Sequence, residues 1–237
     1  MTNFDYENIP IGYYDNVLQK GLSNGKGIQA NWHNKKFLSV YELIQNYKVH
    51  LDYGCGPGTF IGNYSKLESV GVDISEIQIS FAKEKYGTNF NFFNTSQIQK
   101  ENFYKKFDVI TSIELIEHLT DEEILKLLDD LYDLLDEGGI LVLTTPNFGS
   151  TYSLIELAVN IFGKVSYKEQ HINKFNKSRL LELLNQSNFE KIEISKIMNY
   201  GIFLSFFSIK FALKINDFFE NLFNNNLGFL FLVQLKK

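Results

Sequence analysis

Val49-His50-Leu51-Asp52-Tyr53-Gly54-Cys55-Gly56-Pro57-Gly58 is the stretch on which the reading of this chain turns. Its first five residues are a mostly apolar run of strand formers, which stops at glycines on alternate positions, 54, 56 and 58. A buried strand feeding a glycine-rich turn, with a helix to follow, is the nucleotide-binding arrangement of open α/β sheets. Glycine suits such a turn because the backbone takes unusual dihedrals and lets a ligand come close. Pro57 stiffens the turn without calling for a backbone donor.

Outward from this turn, Val70-Gly71-Val72-Asp73 is a second apolar strand, and Asp73 closes it 21 residues after Asp52. A carboxylate at the tip of the second strand is placed to grip a ribose diol through two hydrogen bonds. The turn is not a dinucleotide fingerprint, since Thr59 stands where glycine or alanine is wanted, and it lacks the Gly-Lys-Ser/Thr of a phosphate-binding loop.

LDYGCGPGTF followed by GVDIS resembles the first two motifs of class I S-adenosylmethionine-dependent methyltransferases. FDVITSIELIEHL (107 to 119), LLDEGGILVLTTPN (134 to 147) and QHINKFNKSRLLELLNQSNFE (170 to 190) resemble the remaining motifs in order. The resemblance covers roughly residues 30 to 200 and is nearest to the small-molecule O-methyltransferase branch, with its ubiquinone-pathway and surface-glycan enzymes. It implies one Rossmann-like domain over 1–237: a parallel seven-stranded sheet with an antiparallel last strand, helices on both faces, an N-terminal lid (1–47) and helical insertions near 150–168 and 202–226. It implies S-adenosylmethionine as cofactor and S-adenosylhomocysteine as product. Gln29, Trp32, Asp52, Gly54, Cys55, Gly56, Gly58, Asp73, Ile74, Asn94, Thr95, Ser96, Ser112 and Glu114 fall at its cofactor-binding positions. The family usually carries Asp where Asn94, Thr95 and Ser96 stand; an Asn oxygen can accept the same adenine hydrogen bond.

Composition narrows the partners. The net charge of −5 advertises no basic face, and Arg179 is the single arginine, the residue type that usually reads nucleic acid, so no nucleic-acid partner is expected. One cysteine, Cys55, excludes an internal disulfide and fits a reducing, cytoplasmic location. The acidic, polar start MTNFDYENIP has no signal-peptide character. Gly201 to Ile209, uncharged and Phe-rich, is far short of the ~20 residues of a membrane span, which leaves peripheral contact. A monomer or a homodimer is expected.

Along the chain, residues up to Gly27 show no clear period, and Ile28 to Tyr47 predict a helix. Strand and helix then alternate: helix 59–65, strand 69–73, helix 75–86 with Ser75 and Gln78 as a capping box, strand 89–93, strand 107–112. A helix begins at Thr120, turns leucines 125, 128, 131 and 135 inward and ends at Gly138-Gly139 before strand 140–144. Tyr152 to Val165 and 178–187 predict helices, 189–197 and 228–235 strands, and 202–223 a Phe-rich amphipathic stretch that closes a pocket, makes a dimer contact or meets a membrane surface. The three prolines fall outside these elements.

Alternation of this kind predicts a parallel sheet whose ligands lie beyond the carboxyl ends of the strands. Methyl transfer is an in-line displacement, so alignment supplies much of the acceleration. A neutral hydroxyl acceptor still benefits from a base, and His118, directly after the fourth strand, is the general-base candidate. It equally suits an orienting role. Glu114, Glu117 and His118 form an E-x-x-E-H pattern that, on one helical turn, would converge on a divalent metal, with His171 as a further ligand. A metal is the disfavoured alternative. His171, Lys174 and Arg179, with Lys164, Lys168 and Lys177 nearby, are the substrate-binding candidates and suit an anionic acceptor such as a phosphate or phosphoramidate. The function predicted is O-methylation of a small metabolite or surface-glycan precursor. An RNA 2′-O-methyltransferase and a catalytically silent adenosylmethionine-binding protein are the alternatives.

Overall fold

The structure, a computed structural model, describes residues 9–98, 103–162, 171–223 and 227–237. Seven strands form one sheet: β1 (Val49–Tyr53), β2 (Glu68–Asp73), β3 (Asn91–Asn94), β4 (Phe107–Ile113), β5 (Leu135–Pro146), β6 (Lys191–Ile197) and β7 (Leu230–Lys236). Their order is β3-β2-β1-β4-β5-β7-β6, with β7 antiparallel to both neighbours and the other pairs parallel. The chain turns back on itself between β1 and β4. The crevice beyond their carboxyl ends is therefore where an open sheet of this kind binds its ligand.

Alternation along β5 and β7 gives the sheet two apolar faces. Leu141, Leu143, Val233 and Leu235 pack with α5 (Asp121–Leu134) and α7 (Lys177–Leu184); Ile140, Val142, Leu230 and Leu232 pack with α1 (Tyr13–Asn24), α2 (Ile28–Ile44) and α3 (Thr59–Asn63). A third group joins α4 (Glu76–Tyr86) to Phe92 of β3 and Ile61 of α3. Among the described residues the remaining α-helices are α6 (Tyr152–Phe162) and α8 (Ile209–Leu222), the latter preceded by a 3₁₀ turn at Tyr200–Phe206.

Several boundaries differ from the sequence expectation. Helix α1 lies in the stretch read as aperiodic, because a buried carboxylate rather than an apolar stripe anchors it: Asp15 is inaccessible and bound by Lys85 and the Tyr86 hydroxyl. The Ser75–Gln78 capping box is half made. Ser75 accepts from the Gln78 N–H, but the Gln78 side chain instead accepts from the Gly12 N–H (3.1 Å) and donates to Ile9 O (3.4 Å), tying down the lead-in. Thr120 and Glu123 do complete a box at the start of α5, whose inward face is Ile124, Leu127, Leu128, Leu131 and Leu134. Leu125 is only partly buried, and Leu135 already belongs to β5. Gly138-Gly139 therefore lie within β5, where the pairing with β4 shifts register, and Gly138 takes φ +76°. Pro146 is the last residue of that strand. The expected helix end at Val165, Lys164, Lys168, residues 1–8 and the Asn run 224–226 lie outside the described residues.

Among the described residues, no helix is long and apolar enough to cross a membrane. Helix α8 is bound to α2 through Lys35, which meets Asp217 at 2.9 Å and Glu220 at 2.8 Å, and it leaves Phe211 and Phe218 exposed.

Candidate active site

Beyond β1 the three turn glycines all take left-handed φ, +82°, +53° and +71° at 54, 56 and 58, yet they do different work. A Cβ on Gly56 would meet nothing within 4 Å, one on Gly54 would touch Leu115 at 3.2 Å, and one on Gly58 would strike Phe92 at 2.7 Å and Ala82 at 3.0 Å. Gly56 thus borders open space, whereas Gly58 lets α3 and α4 close onto β3. Asp73 holds the turn in place: its carboxylate accepts from the Gly56 N–H (2.7 Å) and the Ser75 N–H (2.8 Å). Burial raises its pKa, partly offset by these backbone donors. A carboxylate has about four lone-pair positions, and with the Ile74 N–H as a third backbone donor one stays available to a ligand hydroxyl. Beside it, Asp52 accepts from the Thr111 hydroxyl at 2.6 Å. Burial pushes Asp52 up to about 7, with the Thr111 bond opposing and the Asp73 charge adding to the rise. Thr59 Oγ1, buried at the head of α3, has no protein partner. A glycine facing open space, two acids and an orphaned hydroxyl fit a nucleoside bearing an amino-acid tail.

Helix α2 forms the opposite wall. Gln29, Trp32, His33 and Lys36, three or four residues apart, face the cavity from successive turns. Lys36 is ion-paired with Glu114, which also accepts from Trp32 Nε1 at 3.4 Å. Glu114, at φ +53°, leaves the strand in a left-handed step that turns it toward α2. Burial would raise its pKa, but Lys36, His33 and the two hydrogen bonds outweigh that and hold it below the usual carboxylate range. Burial, with Lys36, drives His33 down to about 3, so it is neutral.

The third wall carries two imidazoles. Ile116–His118 is a 3₁₀ turn, and Glu114 lies before it, so E-x-x-E-H does not share one helical face. Glu117, His118 and His171 converge instead, each offering a donor atom within 4.8 Å of the others. The rings of His118 and His171 lie 5.2 Å apart. Glu156 of α6 meets His171 Nδ1 at 2.7 Å, which fixes that ring. Glu117 accepts from Thr145 Oγ1 at 3.0 Å; burial and then the Glu114 charge push it up to about 8, so it is largely protonated at neutral pH. Tyr152 packs against Trp32 and His171 and is held above its ordinary pKa by burial and the surrounding carboxylates.

These walls enclose one cavity of about 740 Å³. It gathers Gln29, Trp32, Asp52, Gly54, Cys55, Gly56, Asp73, Glu114, Glu117, His118 and His171 from the sequence-derived set. Other members of that set do not line it. Gly58 serves packing, and the Ile74 side chain is exposed. Asn94 caps the 3₁₀ turn Thr95–Gln97, its oxygen accepting from Ser96 N (3.0 Å) and Ser96 Oγ (2.7 Å), so that oxygen is already committed. Thr95 lies in the same turn, and Ser112 is buried within β4 with an unpartnered hydroxyl. Lys174 is exposed over the Phe148 ring, and Arg179 binds Asp121, joining α7 to α5. Neither is among the lining residues of the cavity. Lys36, Tyr152 and Glu156 were missed by sequence reasoning. Only Lys36, one turn beyond Trp32, carried a signal, since it continues the face that Gln29 and Trp32 begin.

A family profile described as a methyltransferase domain matches residues 29–194. The ubiquinone biosynthesis O-methyltransferase of Glaesserella parasuis serovar 5 (strain SH0165) is 31% identical over 160 residues, 62% of this chain and 67% of that one. Malonyl-[acyl-carrier protein] O-methyltransferase 1 of Ilyobacter polytropus is 27% identical over 164 residues, 67% of this chain and 57% of that one. The matches thus span between about half and two thirds of these relatives' lengths. The crystal structure of a SAM dependent methyltransferase from Archaeoglobus fulgidus covers 87% of this chain and 94% of its own at TM-score 0.57 and 24% identity, a likeness of fold.

Proposed function

The chain belongs to the methyltransferase-domain family of S-adenosylmethionine-dependent enzymes, and from that premise we propose that it methylates a hydroxyl oxygen of a small, uncharged acceptor held beside His118 and His171. The observation that carries this is the charge pattern of the cavity. Among its described lining residues the one lysine, Lys36, is already paired with Glu114, while three imidazoles, His33, His118 and His171, face the same space. Among those described residues an anionic acceptor would find no unpaired lysine or arginine, and a neutral hydroxyl would find a base. The names of the two curated relatives, both O-methyltransferases, support oxygen as the accepting atom.

Bound adenosylmethionine supplies an electrophilic methyl on a sulfonium. Asp73 would accept from the ribose with its remaining lone pair, and Asp52 faces the amino-acid end beside the Gly54–Gly56 turn. Trp32 and Tyr152 close the cavity between α2 and α6 and exclude water from the line of transfer. His118 receives the hydroxyl proton, and His171, held by Glu156, orients the acceptor. Most of the acceleration is alignment, with the base adding about 10² to 10⁴-fold.

The test is His118→Ala, assayed with phenolic and other hydroxyl acceptors. Turnover should fall by about 10² to 10⁴-fold, the acidic limb of the pH–rate profile should flatten, and adenosylhomocysteine affinity should stay within about twofold. Full turnover in the variant removes the base. Adenosylhomocysteine binding to the wild type without transfer to any acceptor would instead favour a silent binding protein.

A second reading follows from the approach of Glu117, His118 and His171. Two imidazoles and a carboxylate form a donor set that fits a borderline divalent ion. Holding one requires Glu117 to give up the proton that its burial favours. Activity lost on chelation and restored by added Zn²⁺ or Mn²⁺ supports this reading; activity indifferent to chelators dismisses it.

A further inference from the structure

His50 is the odd residue of β1. It is a fully buried imidazole in the middle of a parallel sheet, where an aliphatic side chain would pack, and no step proposed above uses it. Its two nitrogens are both occupied, Nδ1 by Ser69 Oγ of β2 at 3.0 Å and Nε2 by Thr111 Oγ1 of β4 at 2.8 Å. Thr111 in turn reaches Asp52 at 2.6 Å, and Ser69 reaches Ser65 at 2.8 Å. The result is one unbroken chain from the end of α3 through the sheet to the cofactor cavity.

Each link can run in either direction, and each direction has a natural terminus. With Asp52 ionised, Thr111 donates to it, His50 Nε2–H donates to Thr111, Ser69 donates to Nδ1, and Ser65 donates to Ser69. With Asp52 protonated, the three bonds from Asp52 to Ser69 reverse: Asp52 donates to Thr111, Thr111 to Nε2, His50 Nδ1–H to Ser69, and Ser69 turns its proton to Leu67 O, which lies 3.2 Å away. A neutral imidazole has one donor and one acceptor nitrogen, so it completes the chain in both states by changing tautomer. A hydroxyl could also turn round, but an apolar residue at 50 would cut the chain.

We propose that His50 is a positioning residue of the cofactor site, whose tautomer is locked to the protonation state of Asp52, so that cofactor binding selects the ionised acid and the Nε2–H imidazole together. This rests on Asp52 facing the cofactor's ammonium, as proposed above. Burial drives His50 down to about 3, so the imidazole itself stays neutral throughout, while Asp52 titrates near neutrality. The charged and titratable groups felt by these two sites, among the described residues, are Asp73 from β2, Lys36 from α2 and the Cys55 thiol of the turn, whose own pKa burial drives up. The aromatic contact on His50 is Phe60 of α3, which carries no charge.

The test uses the intact chain with adenosylhomocysteine. Nitrogen-15 spectra of the histidine rings should show one neutral imidazole that changes from the Nδ1–H to the Nε2–H tautomer when adenosylhomocysteine is added below pH 7, and His50→Asn should remove that signal. By calorimetry, wild-type affinity should weaken by about tenfold per pH unit below the Asp52 pKa, with a proton released on binding. Thr111→Val, which cuts the link and leaves the imidazole, should shift that pH dependence, and adding His50→Leu should shift it no further. A single His50 tautomer at every pH, with or without ligand, overturns the inference even if the variants fail to fold. So does a pH dependence unmoved in Thr111→Val. Failure of adenosylhomocysteine to bind the wild type at all would count against the proposed function instead.

Discussion

The two halves of the cavity are built on different principles. On the β1–β2 side the ligand surface is backbone: a turn with three residues at positive φ, pinned by Asp73 through the Gly56 and Ser75 N–H groups. On the α2–α6 side it is side chain: Trp32, Lys36, Glu114, His118, Tyr152, Glu156 and His171, drawn from segments more than a hundred residues apart and held by one another. A backbone cradle tolerates almost no change of residue type at fixed spacing. A side-chain wall can be rebuilt around a different acceptor while the cradle stays as it is. The first half is suited to a constant ligand and the second to a variable one.

The strongest way to break this contrast is Gly56→Val. The new side chain enters the open space beside the turn and forces a β-branched residue into a left-handed conformation, at a cost of about 1–2 kcal/mol in stability. Adenosylhomocysteine binding should vanish from calorimetry while the far-ultraviolet circular dichroism keeps its α/β form. Normal binding by this variant would show that the turn is not the cradle.

A smaller effect is expected at Asp73. Asp73→Ala removes the proposed ribose acceptor and frees three backbone donors, and should weaken adenosylhomocysteine by roughly 2–3 kcal/mol, tens- to a hundred-fold. Unchanged affinity in a folded variant would move the ribose elsewhere.

The smallest effect sharpens the other half. Glu117 titrates near 8 in the folded protein, against an ordinary 4.5, because it is buried beside Glu114. Between those two values the unfolded chain has lost the proton that the folded chain keeps, so this carboxyl makes stability fall as pH rises from about 4.5 to 8. Glu117→Gln keeps a polar partner for Thr145 and removes the titration. Melting temperatures measured at pH 5, 6.5 and 8 should therefore decline less steeply in the variant than in the wild type. Parallel declines would place the ionised form of Glu117 in the folded protein.

The contrast also explains what the sequence disclosed. Gly54, Gly56, Asp52 and Asp73 were legible because a strand, a tight turn and a second strand fix both residue type and spacing. The parallel pairing of the first five strands followed from the alternation of strand and helix. Glu156 and Tyr152 were not legible, since nothing local marks a glutamate or tyrosine on an apolar helix as facing a histidine in a distant loop. Asn94 and Arg179 stand outside the cavity lining for a related reason. Each has the chemistry of a ligand contact, but Ser96 and Asp121 offered nearer partners. Helix α1 escaped notice because Asp15, bound to Lys85, does the anchoring usually left to leucines.

The place of β7 bears on how this protein is made. Residues 230–236 slot between β5 and β6, so β6, although synthesised earlier, has no partner until they arrive. During translation, strands β1 to β5 can pair as they emerge, but the open edge of β5 from Ile140 to Pro146 keeps unsatisfied backbone groups along an apolar strand. Such an edge invites pairing with another nascent chain. Ribosomes stalled upstream of residue 230 would therefore hold a sheet that is folded on one side and adhesive on the other, closed only by the insertion of a strand into its interior.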